Sequence, residues 1–387
     1  MKRLLLPLIA ASASFAQQPS QVPKLHSPDV QADGRVTFRY FDPRAQTVTV
    51  NLEGAKAPFA MQKDAAGIWT FTSDALAPEL YGYSFTSDGA HRLDPENTRI
   101  KPNLLSLSNV VHVPGPSPLP WEDTVIPHGI IHHEFYKSAI VADNRDFYVY
   151  TPPAYDPNAA TTYPVLYLLH GFSDDASGWT AVGKANLILD SLIAEGKAKP
   201  MIVVMPLGYG APAILHPPKG SGAPFQDPAL REQNSSKFTA ALIEEVIPLV
   251  EKTYKADGQR DSRAIAGLSM GGAESLLTGL NHLDLFSWVG AFSAGGMGAD
   301  FAAAFPNLDS LANSKLHVLW IACGTDDRLI APNRSLIAWL QSKEIHVIPI
   351  ETPGMHTWMV WRRNLIAFAP LLFRQTSASP SNAAAHQ

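Results

Sequence analysis

The run Gly267-Leu268-Ser269-Met270-Gly271-Gly272 sets a serine midway between two glycines, the spacing that serves a nucleophilic hydroxyl. Such a hydroxyl must project from a tight turn with a strained backbone. Side chains at the flanking positions would clash there, so Gly267 and Gly271 read as steric requirements. The run follows the strand-like Arg263-Ala264-Ile265-Ala266 and precedes a helical stretch over 273–279, the strand-turn-helix setting the motif needs. The same turn would aim the Met270 N–H, at a helix N-terminus, toward a developing oxyanion. The chemistry in view is acyl transfer through a covalent intermediate.

A serine hydroxyl needs a base, and the base needs an orienting carboxylate. Where a GxSxG turn carries the nucleophile, the chain order is serine, acid, histidine. Downstream of Ser269 stand His282, His317, His346 and His356. His282 falls on the helix after the turn, and His317 and His346 lie at strand starts. Catalytic groups collect at the carboxyl ends of parallel strands, so the loop Thr352-Pro353-Gly354-Met355-His356 selects His356. The acid should leave the end of the preceding strand, where Gly324-Thr325-Asp326-Asp327-Arg328 offers two neighbouring carboxylates. Spacing alone does not separate Asp326 from Asp327.

An early loop should supply a second oxyanion donor. Leu168-Leu169-His170-Gly171-Phe172 ends a strand in a His-Gly turn, which makes the Phe172 N–H the candidate. Tyr209, Trp358 and Trp361 are candidates for the walls of a substrate pocket. His132-His133-Glu134 tempts as a metal site, but adjacent strand residues point to opposite faces. With no HExxH or CxxC spacing, neither a metal nor a cofactor is expected. Cys323, the single cysteine, sits in an apolar run and reads as an inert core thiol.

Two kinds of pattern surround these residues. Over 27–114, short alternating strands (Val36, Phe38, Tyr40; Val48, Val50, Leu52; Tyr81, Tyr83, Phe85) are punctuated by Asp-Gly turns, which predicts a small all-β, immunoglobulin-like sandwich. Residues 115–128 are proline-rich and read as a semi-rigid linker. Over 129–374, continuous apolar strands alternate with amphipathic helices, the signature of a mostly parallel sheet flanked by helices. Trp69, Tyr81 and Tyr83 in the sandwich suit either core positions or sugar platforms. Residues 375–387 read as a disordered tail.

The chain of 387 residues is 46% hydrophobic and 17% charged, with net charge −5, ample for a packed core. It lacks the basic stripe of a nucleic-acid binder. Met1-Lys2-Arg3, an apolar run to Ala13 and Ser14-Phe15-Ala16 predict a signal peptide over 1–16, hence a secreted or periplasmic protein. The apolar run is too short for a permanent membrane anchor, so no membrane partner is expected.

With these residues placed, the chain resembles the esterase D / feruloyl esterase family of α/β-hydrolases. The resemblance is carried by Tyr167-Leu168-Leu169-His170-Gly171, residues 190–208 and 267–272, Gly324 to Asp327 and Gly354 to Trp361. The N-terminal part is similar to the early-set, glycogen-binding-type β-sandwich fused to many such esterases. The family's acid is the second aspartate of a Gly-x-x-Asp turn, which implies Asp327. Its Gly-x-His loop, followed shortly by tryptophan, matches Gly354-Met355-His356 and Trp361. The resemblance implies hydrolysis of hydroxycinnamoyl or acetyl esters on xylan-type polysaccharides, an ester-substituted polysaccharide or oligosaccharide being the expected partner. Siderophore esterases and acyltransferases share this triad, and a non-catalytic polysaccharide-binding protein would tolerate its loss.

Overall fold

A computed structural model describes residues 24–215, 225 and 227–374. The expected signal peptide and C-terminal tail lie outside the described residues.

Residues 29–113 form two facing antiparallel sheets. One joins Asp29–Val30, Val36–Phe41, Ile68–Thr72 and Gln62–Lys63; the other runs from Phe59–Ala60 through Val48–Leu52, Glu79–Ser87 and Ser108–Val113 to Ile100–Lys101. Strict alternation makes the sandwich. Val48, Val50 and Leu52 are buried while Thr49 and Asn51 are only half-buried, and the inward set meets Val36, Phe38, Phe85 and Val111 in one core. Trp69, Tyr81 and Tyr83 belong to that core. Phe59, partly exposed and stacked on Phe71 at 4.7 Å, is the aromatic that reaches the sandwich surface most openly.

The second lobe is built on eight strands: β1 (Ile130–Lys137), β2 (Asn144–Thr151), β3 (Val165–Leu169), β4 (Ile202–Pro206), β5 (Arg263–Leu268), β6 (Trp288–Phe292), β7 (Val318–Gly324) and β8 (Ile348–Thr352). Their order is β1-β2-β4-β3-β5-β6-β7-β8. The two β1 and β2 pairings are antiparallel, and every pairing from β4 to β8 is parallel. The sheet therefore opens one strand earlier than the apolar run at Tyr148 suggests. The strand β1 is an edge with exposed Ile130 and Phe135, so its sequence lacks the apolar continuity of a central strand. The edge strand β8 starts at Ile348 rather than His346, and its Pro349 is tolerated because an edge strand leaves one side unpaired.

Central strands are apolar on both faces because helices cover both. In β3, Leu166 and Leu168 pack with α1 (Ala185–Ala194) on one side, while Val165, Tyr167 and Leu169 join the opposite cluster. That second face receives α2 (Pro228–Ala241), α3 (Met270–Asn281) and α4 (Ile330–Ser342), and α5 (Trp358–Phe368) returns to the first. Each fully buried aliphatic or aromatic side chain contributes roughly 1.5–3 kcal/mol of burial.

The connector is not a free spacer. Trp121 is buried in the core beside α1 and α5, with the Arg362 guanidinium 5.4 Å over its ring. A buried ion pair between Glu79 of the sandwich and Arg362 of α5, at 2.8 Å with both side chains 1% exposed, fastens the lobes. Arg363 adds a second, half-exposed contact to Glu79.

Candidate active site

Strand β5 ends at Leu268 and α3 begins at Met270, so Ser269 alone makes the turn, with φ 52° and ψ −115°. A non-glycine residue in that region is strained by about 1–3 kcal/mol and persists only where its surroundings over-determine it. Here they do: the Ser269 N–H donates to Phe292 C=O at 2.8 Å, and its own C=O accepts from Gly295 and Ala273. A Cβ on Gly267 would strike the Gly271 carbonyl, and one on Gly271 would strike the His170 carbonyl, so both glycines are required for the backbones to approach.

Three loops at the carboxyl edge of the sheet converge on this hydroxyl. His356 Nε2 lies 3.0 Å from Ser269 Oγ, and its Nδ1 lies 2.7 Å from Asp327 Oδ2. The other Asp327 oxygen accepts the Leu329 N–H at 2.8 Å. Burial alone would raise the Asp327 pKa, but His356, the Leu329 amide and the Ser293 hydroxyl outweigh it and hold the carboxyl below its usual range. Asp326, by contrast, is exposed. The structure thus brings together Ser269, His356 and Asp327, and leaves His282, His317 and His346 apart. His317 stacks on Trp288 with ring centres 4.7 Å apart.

Gly171 is pressed against the nucleophile, for a Cβ there would come 3.2 Å from that of Ser269. The neighbouring Phe172 lines the same cleft. The Phe172 and Met270 N–H groups find no acceptor among the described residues, and Met270 heads a helix whose first amides have no intrahelical partner. His170 is buried; burial pushes its imidazole down to about 4, so it stays neutral and its Nε2 accepts the Gly208 N–H.

The cleft holds about 690 Å³. Trp358 and Trp361 line it while remaining 2% and 6% exposed, and Trp361 meets the His356 ring edge-on at 4.9 Å. Tyr209 does not reach it: the side chain is buried and its hydroxyl donates to the Asp174 carbonyl at 2.8 Å. His132, His133 and Glu134 take separate partners in Thr151, Asp146 and Tyr254, and no metal-binding cluster occurs among the described residues.

Sequence reasoning missed the far wall of the cleft, which the sandwich supplies through Glu53, Lys101 and Asn103. Glu53 accepts the Trp358 N–H at 3.2 Å, capping α5 two residues after His356. Although Glu53 is buried, which raises a carboxyl, Lys101, Arg362 and the Gly82 amide hold its pKa below the ordinary value. Asn103 donates to Ser173 Oγ and to Asp174 Oδ1, at 2.9 and 3.2 Å. No local pattern marks these residues, since the hydrolase groups that Asn103 and Glu53 contact lie 70 and 305 positions away.

Asp174 is pushed up to about 7, chiefly by burial; Lys101 and Asn103 oppose the rise, and Asp175 and Glu53 add to it. Its folded pKa is raised, so the folded protein holds a proton that the unfolded chain releases near pH 4. Stability from this group therefore falls as pH rises from about 4 to about 7. Asp174→Asn is expected to flatten that part of a Tm-against-pH curve; an unchanged slope would show that the carboxyl is ionised in the folded state.

Residues 138–372 match a family described as "Putative esterase". An endo-1,4-beta-xylanase/feruloyl esterase of Xylanibacter ruminicola is 29% identical over 372 residues, covering 93% of this chain; the chain spans 48% of that relative's length. An acetyl esterase of Caldicellulosiruptor saccharolyticus is 25% identical over 231 residues, covering 51% of this chain and 79% of the relative. Among solved structures, a ferulic acid esterase of Anaeromyces mucronatus aligns with TM-score 0.56 and 26% identity over 66% of this chain and 96% of its own. The enterobactin esterase of Shigella flexneri aligns over 87% of this chain and 92% of its own, with TM-score 0.65 and 20% identity, a likeness of fold.

Proposed function

The chain belongs to this esterase family and is a carboxylic ester hydrolase of α/β-hydrolase fold, and from that premise we propose that it is a secreted feruloyl esterase acting on plant cell-wall arabinoxylan through Ser269, His356 and Asp327. The observation that carries the mechanism is the hydrogen-bonded series from Ser269 Oγ to His356 to Asp327, at 3.0 and 2.7 Å. His356 takes the serine proton as the hydroxyl attacks the ester carbonyl, and Asp327 steadies the imidazolium that forms. The Phe172 and Met270 amides, free of other acceptors among the described residues, hold the oxyanion. His356 then protonates the departing sugar alcohol, and water cleaves the acyl-enzyme by the reverse route.

A hydroxycinnamoyl group is supported by the xylanase/feruloyl esterase and ferulic acid esterase relatives and by a cleft bordered by Phe172, Phe225 and Trp361. Export, read from residues 1–16, suits a polymer too large to import. The acetyl esterase relative supports acetylxylan as the second reading. Comparing kcat/KM on methyl ferulate, acetylated xylan and p-nitrophenyl acetate decides between them. Methyl ferulate is expected to exceed the short ester by about tenfold or more, the discrimination a filled apolar pocket provides. A preference for acetylated xylan would move the enzyme to acetyl esters, and failure on all three would sink the ester reading.

A further inference from the structure

A second cavity of about 600 Å³ lies in the seam between the sandwich and the hydrolase lobe, and it shares Glu53 and Lys101 with the active-site cleft. Its walls gather positive charge from both lobes: Arg99 and Lys101 from the sandwich, Lys184 and Arg362 from the hydrolase. Two of the three carboxylates that line it are engaged, and the third, Asp123, faces solvent with its side chain 87% exposed. Glu53 pairs with Lys101 at 3.3 Å, Glu122 with His112 at 2.8 Å, and Asp123 stands 3.4 Å from His128.

The cations are less well served. Among the described residues, no hydrogen-bond or ion-pair partner takes the side chains of Arg99 or Lys184. Burial, reinforced by Arg362 and Arg99, pulls the Lys184 pKa below its usual value, the mark of an ammonium with no counter-charge beside it. Two deeper donors are also unclaimed: Trp121 Nε1 and Arg362 Nε, on side chains 4% and 1% exposed. Lys184 itself is held in the left-handed region at φ 56°, where a non-glycine residue is uncommon and points to a constraint beyond packing. Unmatched cations and buried N–H donors around one cavity form a receptor for a planar oxyanion.

We propose that this seam cavity is a subsite for a carboxylate carried on the polysaccharide substrate, a uronic acid residue near the esterified sugar, recognised by Arg99, Lys184 and the Trp121 and Arg362 donors. The assignment rests on the polysaccharide reading above. Both cavities border the Glu53–Lys101 pair, so a chain lying across that pair would place its ester at Ser269 and its acidic branch in the seam. Because Arg99 and Lys184 come from different lobes, the subsite exists only in the docked arrangement.

The test compares hydrolysis of uronate-bearing feruloylated xylan with the same polymer after its carboxyls are reduced to alcohols. The full-length protein is expected to prefer the native polymer about three- to tenfold in kcat/KM, between the worth of an exposed ion pair and that of a buried charged hydrogen bond. The double variant Arg99→Gln/Lys184→Gln is expected to lose the preference while hydrolysing p-nitrophenyl acetate at the unaltered rate, which also reports that it folds. Equal wild-type rates on the two polymers, with the small ester still cleaved, would overturn the subsite and leave the esterase reading intact. Equal rates combined with a Tm raised by free glucuronate would assign the cavity to a free carboxylate and equally overturn it. Absence of hydrolysis on every ester would instead refute the reading on which the subsite rests.

Discussion

Ser269→Ala is expected to lower kcat on p-nitrophenyl acetate by at least about a thousandfold while leaving the protein folded. The size of the loss follows from what the hydroxyl does. Among the described residues it is the one oxygen within hydrogen-bond reach of His356 Nε2, so without it no acyl-enzyme forms and only binding and oxyanion stabilisation remain. Alanine is the right replacement because it keeps the Cβ and hence the strained turn at φ 52°; glycine would relax the backbone and confound the comparison. The main-chain bonds to Phe292, Gly295 and Ala273 survive the change, so Tm should hold. A fluorophosphonate probe should label the parent protein and not the variant. Retention of hydrolysis by a folded Ser269→Ala protein would refute the assignment.

Asp327→Asn is expected to cost about a thousand- to ten-thousandfold in kcat near neutral pH, whereas Asp326→Asn should leave it close to the parent value. The carboxylate fixes His356 with a proton on Nδ1, leaving Nε2 free to accept from Ser269. An asparagine can present its N–H₂ to Nδ1, which favours the opposite tautomer and points a proton at the serine hydroxyl. Geometry would be nearly preserved, because the amide oxygen can still accept the Leu329 N–H. Asp326, exposed beside Thr325, touches neither partner. If the two substitutions were equally harmful, orientation of His356 would not be the source of the effect.

These two predictions draw on the part of the molecule most legible from residue order. The elements that hold Ser269, Asp327 and His356 are β5, β7 and β8 with the short loops that follow them, and a parallel sheet forces the ends of adjacent strands to one edge. Apolar periodicity therefore located His356 and narrowed the acid to two neighbours; the family resemblance pointed to Asp327. Tyr209 illustrates the limit. It leaves the correct strand edge, yet its ring turns inward beside His170 because the Asp174 carbonyl accepts its hydroxyl. Nothing in residues 205–209 encodes that partner. Trp69, Tyr81 and Tyr83 were ambiguous for a related reason, since an aromatic on a two-layer sandwich suits either face until the register is known. The lobe interface was the least legible feature, because Glu53 meets Trp358 across 305 positions and neither side announces the other.

That capping contact bears on how such a protein can be rebuilt. A sandwich that merely tethered an enzyme to a polymer could be exchanged for another like a cassette. Here Glu53 caps the start of the helix that begins beside His356, and Asn103 ties down the loop that follows Phe172. A graft that supplied the right β-architecture without these side chains would leave the reaction centre with an unfinished wall and an uncapped helix. A substitution in one lobe therefore reaches the reaction centre carried by the other, and a designer who trims one is editing both.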